Sequence, residues 1–138
     1  MSRRDMYHHL VKHALAKEGW NITHDPYVLL AEPKLAVDLG AERTIAAERG
    51  QEKIAVEIKT FRGASQVADL QEAVGQYSMY QIFLRRQEPT RILYLAVPTY
   101  TLDDILSREV GQATIEELKI NLLIYSLKEE EPLQWKPL

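Results

Sequence analysis

The stretch Ile54-Ala55-Val56-Glu57-Ile58-Lys59 decides how this chain is read. Side chains alternate across a β-strand, so Ile54, Val56 and Ile58 share one face while Ala55, Glu57 and Lys59 share the other. An acid and an amine two positions apart then project together from a strand whose back is apolar. Upstream stands Val37-Asp38. If Asp38 lies on a neighbouring strand, its carboxylate and that of Glu57 can converge on one cation, the makeup of a metal-dependent phosphodiester-cleaving site. Hard carboxylate oxygens suit Mg²⁺ or Mn²⁺, and a lysine beside them can steady a water or the charge of a phosphorane. The competing reading is a strand with Glu and Lys alternating on a solvated face, which antiparallel sheets show routinely. Two details favour the site. Glu57 and Lys59 are the only charges in the run, and Gly40 and Gly63 follow Asp38 and Lys59 closely. Glycine there permits a tight turn or close backbone approach to a ligand.

Working outward, Arg49-Gly50-Gln51-Glu52 reads as a hairpin-like turn leading into a strand over Lys53–Thr60. Before it, Leu35–Leu39 and Thr44–Glu48 form one bent strand or two short ones, with Gly40 at the bend. Tyr27–Ala31 reads as a first strand ended by Glu32-Pro33, and Asn21–Pro26 as a turn or extended connection. Arg4 to about Glu18 is an amphipathic helix with Met6, Leu10, Val11, Ala14 and Leu15 at helical spacing and Gly19 as its stop. After Lys59, Ser65 is placed to cap the strongest helix, about Gln66–Arg86, on which Val67, Leu70, Val74, Tyr77, Gln81 and Leu84 repeat in steps of three and four. Arg91–Val97 is nearly continuous in apolar residues and predicts an interior strand. Short helices are expected at Thr101–Leu106 and Thr114–Lys119, then a last strand at Asn121–Leu127 and a tail holding Trp135. That order predicts a single α/β domain over residues 1–138, a mixed central sheet flanked by helices.

Composition bounds the function. With 138 residues, 46% hydrophobic and 27% charged, the chain fits one ordinary soluble domain. No apolar run approaches the roughly 20 residues that cross a bilayer, no secretory signal is visible, and the absence of cysteine excludes disulfides and thiolate metal sites. A cytoplasmic setting and no membrane partner are expected. The net charge of −3 and pI near 5.8 argue against tight unaided DNA binding, which rests on a surplus of Lys and Arg. A local basic patch from Arg62, Arg85, Arg86 and Arg91 stays open, as does dependence on a partner protein.

Other candidates are weaker. His9 and His13 stand one turn apart and could share a metal, though a solvated helix face is the plainer reading. Asp25-Pro26 reads as a turn initiator. Glu42 could add a third carboxylate or pair with Arg43 or Arg49. Glu129–Glu131 is a solvated strand end or a face for a basic partner.

The order of elements, with Val37-Asp38 and Glu57-Ile58-Lys59, resembles the PD-(D/E)XK nuclease-like fold of restriction endonucleases and junction resolvases. More narrowly, the chain resembles the XisH family, the fdxN element excision controlling factors of cyanobacteria. The likeness runs nearly end to end through Lys17–Tyr27, Val37–Arg43, Ile54–Phe61, Gly75-Gln76-Tyr77 with Tyr80, Arg91–Val97 and Gln134-Trp135-Lys136. It implies a part in programmed DNA excision during heterocyst development, beside a site-specific recombinase and a small XisI-like companion, with DNA as partner and homo-oligomers compatible. Carried over residue by residue, it makes Asp38 and Glu57 ligands of Mg²⁺ or Mn²⁺ and Lys59 the catalytic amine. Val37 replaces the proline of the motif's name, a departure in backbone shape rather than chemistry. Related nucleases flank the site with polar groups of the long helix, a place Gln76 fits, while Tyr77 fits core packing better. His8 or Glu18 of the first helix could stand near the metal by the same analogy. The alternative is an accessory factor that keeps the nuclease fold without cutting.

Overall fold

The computed structural model describes residues 3–32, 44–128 and 131–137. The predicted Leu35–Leu39 segment, together with Asp38, Gly40, Glu42, Arg43, Glu129 and Glu130, lies outside them. The elements are α1 (Arg3–Lys17), β1 (Asn21–His24), β2 (Thr44–Arg49), β3 (Glu52–Ile58), α2 (Gln66–Gln87), β4 (Ile92–Pro98), α3 (Thr99–Leu102), a 3-10 turn (Ile105–Ser107), α4 (Glu109–Glu117), β5 (Leu122–Tyr125) and β6 (Gln134–Lys136). The strands form one mixed sheet in chain order. β3, β4 and β5 run parallel, and the other pairs are antiparallel.

This topology decides which helix covers which face. The crossovers β3–α2–β4 and β4–α3–α4–β5 step across the sheet in the same direction, so crossovers of one hand carry their helices to one side. Side-chain alternation agrees. Ala46, Ala55, Leu93, Leu95, Val97, Leu122 and Ile124 pack with Leu70, Ala73, Tyr77, Tyr80 and Leu84 of α2 and with Ile105, Leu106 and Ile115. Their strand neighbours Ile45, Ala47, Ile54, Val56, Ile58, Tyr94, Ala96 and Leu123 pack on the other side, against Tyr7, Leu10, Val11 and Leu15 of α1. Each Leu, Ile or Val side chain among them contributes about 1.5–3 kcal/mol when removed from water, and each alanine methyl less.

Local signals explain the boundaries. Ser65 caps α2, its Oγ accepting from the Ala68 N–H at 3.2 Å. Gly19, at φ 89°, ends α1 in the left-handed region and lets Trp20 N–H reach back to the Leu15 carbonyl at 3.0 Å. Gly50, at φ 62°, opens the two-residue turn of the β2–β3 hairpin.

Four expectations are corrected. Tyr27–Ala31 is not the first strand: it runs as extended chain with one isolated bridge at Leu29. Its apolarity comes from Tyr27 and Leu29 entering the α2-side core. The strand is Asn21–His24, an edge strand with mostly exposed side chains and so no alternation to read. On α2 the buried stripe is Leu70, Ala73, Tyr77, Tyr80 and Leu84, while Val67 is exposed. The helix expected at Thr101–Leu106 is split into α3, inside which Thr101 is buried, and the 3-10 turn. The tail contributes a sixth strand around Trp135, which packs on Trp20 and Tyr94 at ring separations of 5.7 and 5.0 Å.

Two ion-paired carboxyls set an acid limit on this fold. Burial pushes the Asp25 carboxyl up, but hydrogen bonds from Lys12 at 2.7 Å and His8 at 3.0 Å outweigh it and leave the group below its ordinary 3.8. The Arg91 guanidinium holds Glu88 below its ordinary 4.5. A carboxyl with a depressed native pKa stabilises the fold fully above its unfolded pKa and loses that contribution as pH falls through the native value. Stability is therefore expected to decline below about pH 4.5, and Asp25→Asn with Glu88→Gln should flatten the decline. Urea midpoints from pH 7 to pH 3 measure it; an unchanged slope in the double variant counts against these two groups.

Candidate functional site

Glu57 and Lys59 project from β3 toward α2, as alternation requires. Glu57 pairs across the hairpin with Thr44 and lies beside Leu95 of β4. Tyr77 and Tyr80 approach it from α2. Burial pushes both phenols up in pKa, and the Glu57 charge adds to the shift in each. Tyr77 is otherwise a packing residue, its hydroxyl donating to the Leu93 carbonyl and accepting from the Asn121 N–H, both at 3.1 Å.

The competing reading of a solvated face fails here. Glu57 is 0% and Lys59 6% exposed, because a 22-residue helix lies across this side of the sheet. Removing ionised groups from water is costly, so residues kept there normally answer to a partner or a task. Lys59 directly follows β3, its N–H bonded to the Ala96 carbonyl at 2.9 Å and its own carbonyl accepting from the Tyr125 hydroxyl at 2.6 Å. Tyr100 donates to the next carbonyl, that of Thr60. With its backbone fixed from two strands, Lys59 extends its Nζ to the Gln76 side-chain carbonyl of α2. Three of the four residues singled out from sequence thus lie on one side of the sheet, Lys59 bonded to Gln76 and Glu57 two positions before it on the same face, and the fourth, Asp38, lies outside the described residues. The Gly63 N–H is taken by the chain's own Asp69 at 2.9 Å, so that glycine receives an internal carboxylate, not a ligand.

Thr44 is not singled out from the sequence, and Tyr80 enters there only through the family likeness, although each has a signal. The Gly50-Gln51 turn fixes the hairpin register and so sets Thr44 opposite Glu57. Tyr80 stands one turn beyond Gln76 and Tyr77 on the same helix.

The first-helix candidates are engaged elsewhere. α1 covers the opposite face of the sheet, where His8 binds Asp25 at 3.0 Å. Glu18 accepts from the Trp135 indole at 2.9 Å and the Leu133 N–H at 3.3 Å. With Trp20, Arg49, Tyr94 and Trp135 it lines a groove of about 380 Å³ at the hairpin end. His9 and His13 stack on an exposed face with ring centres 6.3 Å apart. The four-arginine patch is corrected too: Arg85 and Arg86 are exposed and Arg62 reaches Tyr7 at 2.9 Å, but Arg91 is buried. Glu131 is exposed and pairs with Lys128 at 3.7 Å.

Glu57 offers hard oxygens suited to Mg²⁺ or Mn²⁺. Among the described residues no group of three or more His, Asp or Glu converges, so Asp38 would have to complete any ion site. No helix among the described residues is long and apolar enough to cross a membrane.

These features define a mixed α/β protein with helices on both faces of a six-stranded sheet and a buried Glu-x-Lys on a central strand. The chain belongs to the XisH family, whose model, described as XisH protein, matches residues 1–133. It is similar in structure to an XisH family protein from Nostoc punctiforme PCC 73102, with 40% identity, a TM-score of 0.83, and coverage of 96% of this chain and 99% of that one. A fdxN element excision controlling factor protein from Anabaena variabilis is similar at 38% identity and a TM-score of 0.82, over 96% of this chain and 98% of that one. No curated protein matches.

Proposed function

We propose that this chain takes part in controlled excision of a DNA element, as a metal-dependent, endonuclease-like protein. The observation that carries this reading is the buried lysine, Lys59, held by Gln76 on the same side of β3 as Glu57. Glu57 and Asp38 would hold Mg²⁺ or Mn²⁺, which when bound supplies Lewis-acid polarisation of a phosphate oxygen. Lys59 would orient the attacking water and balance charge gathering on the phosphate, and Gln76 would keep the ammonium aimed. Thr44, Leu95, Tyr77 and Tyr80 wall the carboxylate from bulk water, which strengthens these electrostatic contacts. The relative named as a fdxN element excision controlling factor supports the biological setting. The restriction-endonuclease-like likeness is compatible with the sheet and its helices.

A net charge of −3 favours a second reading, a non-cutting accessory factor that works through a companion protein of the XisI kind and, indirectly, a site-specific recombinase. The two readings coexist if the companion supplies the basic surface for DNA. Incubating supercoiled plasmid and MgCl₂ with the chain and with Asp38→Ala, each with and without the companion, separates them. Cleavage by the parent alone supports the nuclease; equal cleavage by both proteins rules it out.

A further inference from the structure

We propose that the outward face of α2 is a two-fold interface between copies of this chain. At 100° per residue, Ala68, Gly75, Met79, Ile82 and Arg86 fall on one meridian, directly opposite the buried Leu70, Ala73, Tyr77, Tyr80 and Leu84. A solvated meridian should be charged and rich in helix formers. This one exposes half of Met79 and half of Ile82, and its middle is Gly75, among the poorest residues for a helix interior. Nothing lies within 4 Å of where a Gly75 Cβ would stand, so the glycine is not required by packing inside the protein. It leaves a hollow flanked by large apolar side chains.

The charges select the occupant. Glu72 stands beside this meridian toward the start of α2, and Arg86 on it at the end. Parallel pairing of two such helices would set like charges together. Antiparallel pairing about a two-fold axis beside Met79 places Ile82 of each copy over Gly75 of the other, Met79 against Met79, and Glu72 near the opposing Arg86. A self-complementary patch of this kind is what an isologous dimer requires. The helix is about 33 Å long, so the contact is modest and the dimer should be concentration-dependent, dissociating in the micromolar range. The interface is independent of the Glu57 site, which lies under the opposite face of the same helix.

Sedimentation over about 1–100 µM tests it. The parent should pass from 15.9 kDa to twice that mass. Ile82→Glu and Gly75→Gln should each stay monomeric, weakening association at least about 100-fold. Gly75→Gln adds a better helix former in open space, so at about 1 µM or below, where the parent is itself monomeric, its thermal midpoint should not fall, which separates lost association from lost folding. Glu72→Arg should weaken the dimer, and combining it with Arg86→Glu should restore it. A parent that remains monomeric throughout, or a dimer indifferent to Gly75→Gln and Ile82→Glu, overturns the proposal, including the case where another protein covers this face.

Discussion

Glu57→Gln is expected to lower Mg²⁺-dependent cleavage of plasmid by at least about 10³-fold, the equivalent of some 4 kcal/mol of lost transition-state stabilisation. Glutamine keeps the shape of the side chain but surrenders the charge that would hold the ion. Lys59→Met should cost about 10²–10³-fold, the scale of losing one preorganised charge donor. Gln76→Leu should cost less, near 10-fold, because Lys59 keeps its backbone anchors at Ala96 and Tyr125 while its ammonium loses one contact. The ranking matters more than any single value. A structural role for the cluster would scale activity with stability, so urea midpoints must be measured beside the rates. If all three variants cleave as the parent does, or if rates merely track unfolding, the catalytic reading of β3 is lost and the accessory-factor reading stands.

Much of this arrangement was legible in the chain because strands alternate and helices repeat. Ile54–Lys59 disclosed which residues share a face, and Ser65 and Gly19 marked helix ends that the structure keeps. Burial was not legible. Glu57 and Lys59 carry charge, and charge in a strand suggests water. Only the length of α2 and the one-sided crossovers show that the face is covered. The edge strands β1 and β6 were hidden for the converse reason: side chains half in solvent leave no pattern. In β6, Gln134-Trp135-Lys136 spans three residues with one ring turned inward. Tyr27–Ala31 misled because an apolar run records burial, and burial does not require a partner strand. The stripe on α2 sits one position earlier at two steps, Ala73 in place of Val74 and Tyr80 in place of Gln81, and the aromatic ring joins the core where an amide would need a hydrogen-bonding partner.

Arg91 shows how much stability can depend on a residue that looks like surface charge. It precedes β4 and is 4% exposed. Its guanidinium grips Glu88 with Nε and Nη2 at 3.0 and 3.2 Å, donates to the Ile54 carbonyl at 3.0 Å and reaches Glu48 at 3.5 Å. Its charged end lies 5.1 Å from the Tyr27 ring. One side chain therefore fastens the end of α2 to the starts of β3 and β4 and to the extended Tyr27 segment. Arg91→Ala would leave the Ile54 carbonyl and the Glu88 carboxylate without that donor, and breaking such a pair from one side costs about 3–5 kcal/mol. For a chain of this size the expected fall in thermal midpoint is roughly 12–20 °C. Lysine should rescue little of it, because a single ammonium cannot reproduce the forked geometry. Adding Glu88→Gln to Arg91→Ala should recover part of the loss, since the carboxylate that loses its guanidinium, though it keeps the Tyr27 hydroxyl and Lys53, is no longer charged. The Glu57 cluster lies on the opposite end of β3 from Ile54, so cleavage per folded molecule should be retained. An Arg91→Ala protein that melts within a few degrees of the parent would mean that the hydrogen bonds to Glu88 and Ile54 contribute far less than their burial implies.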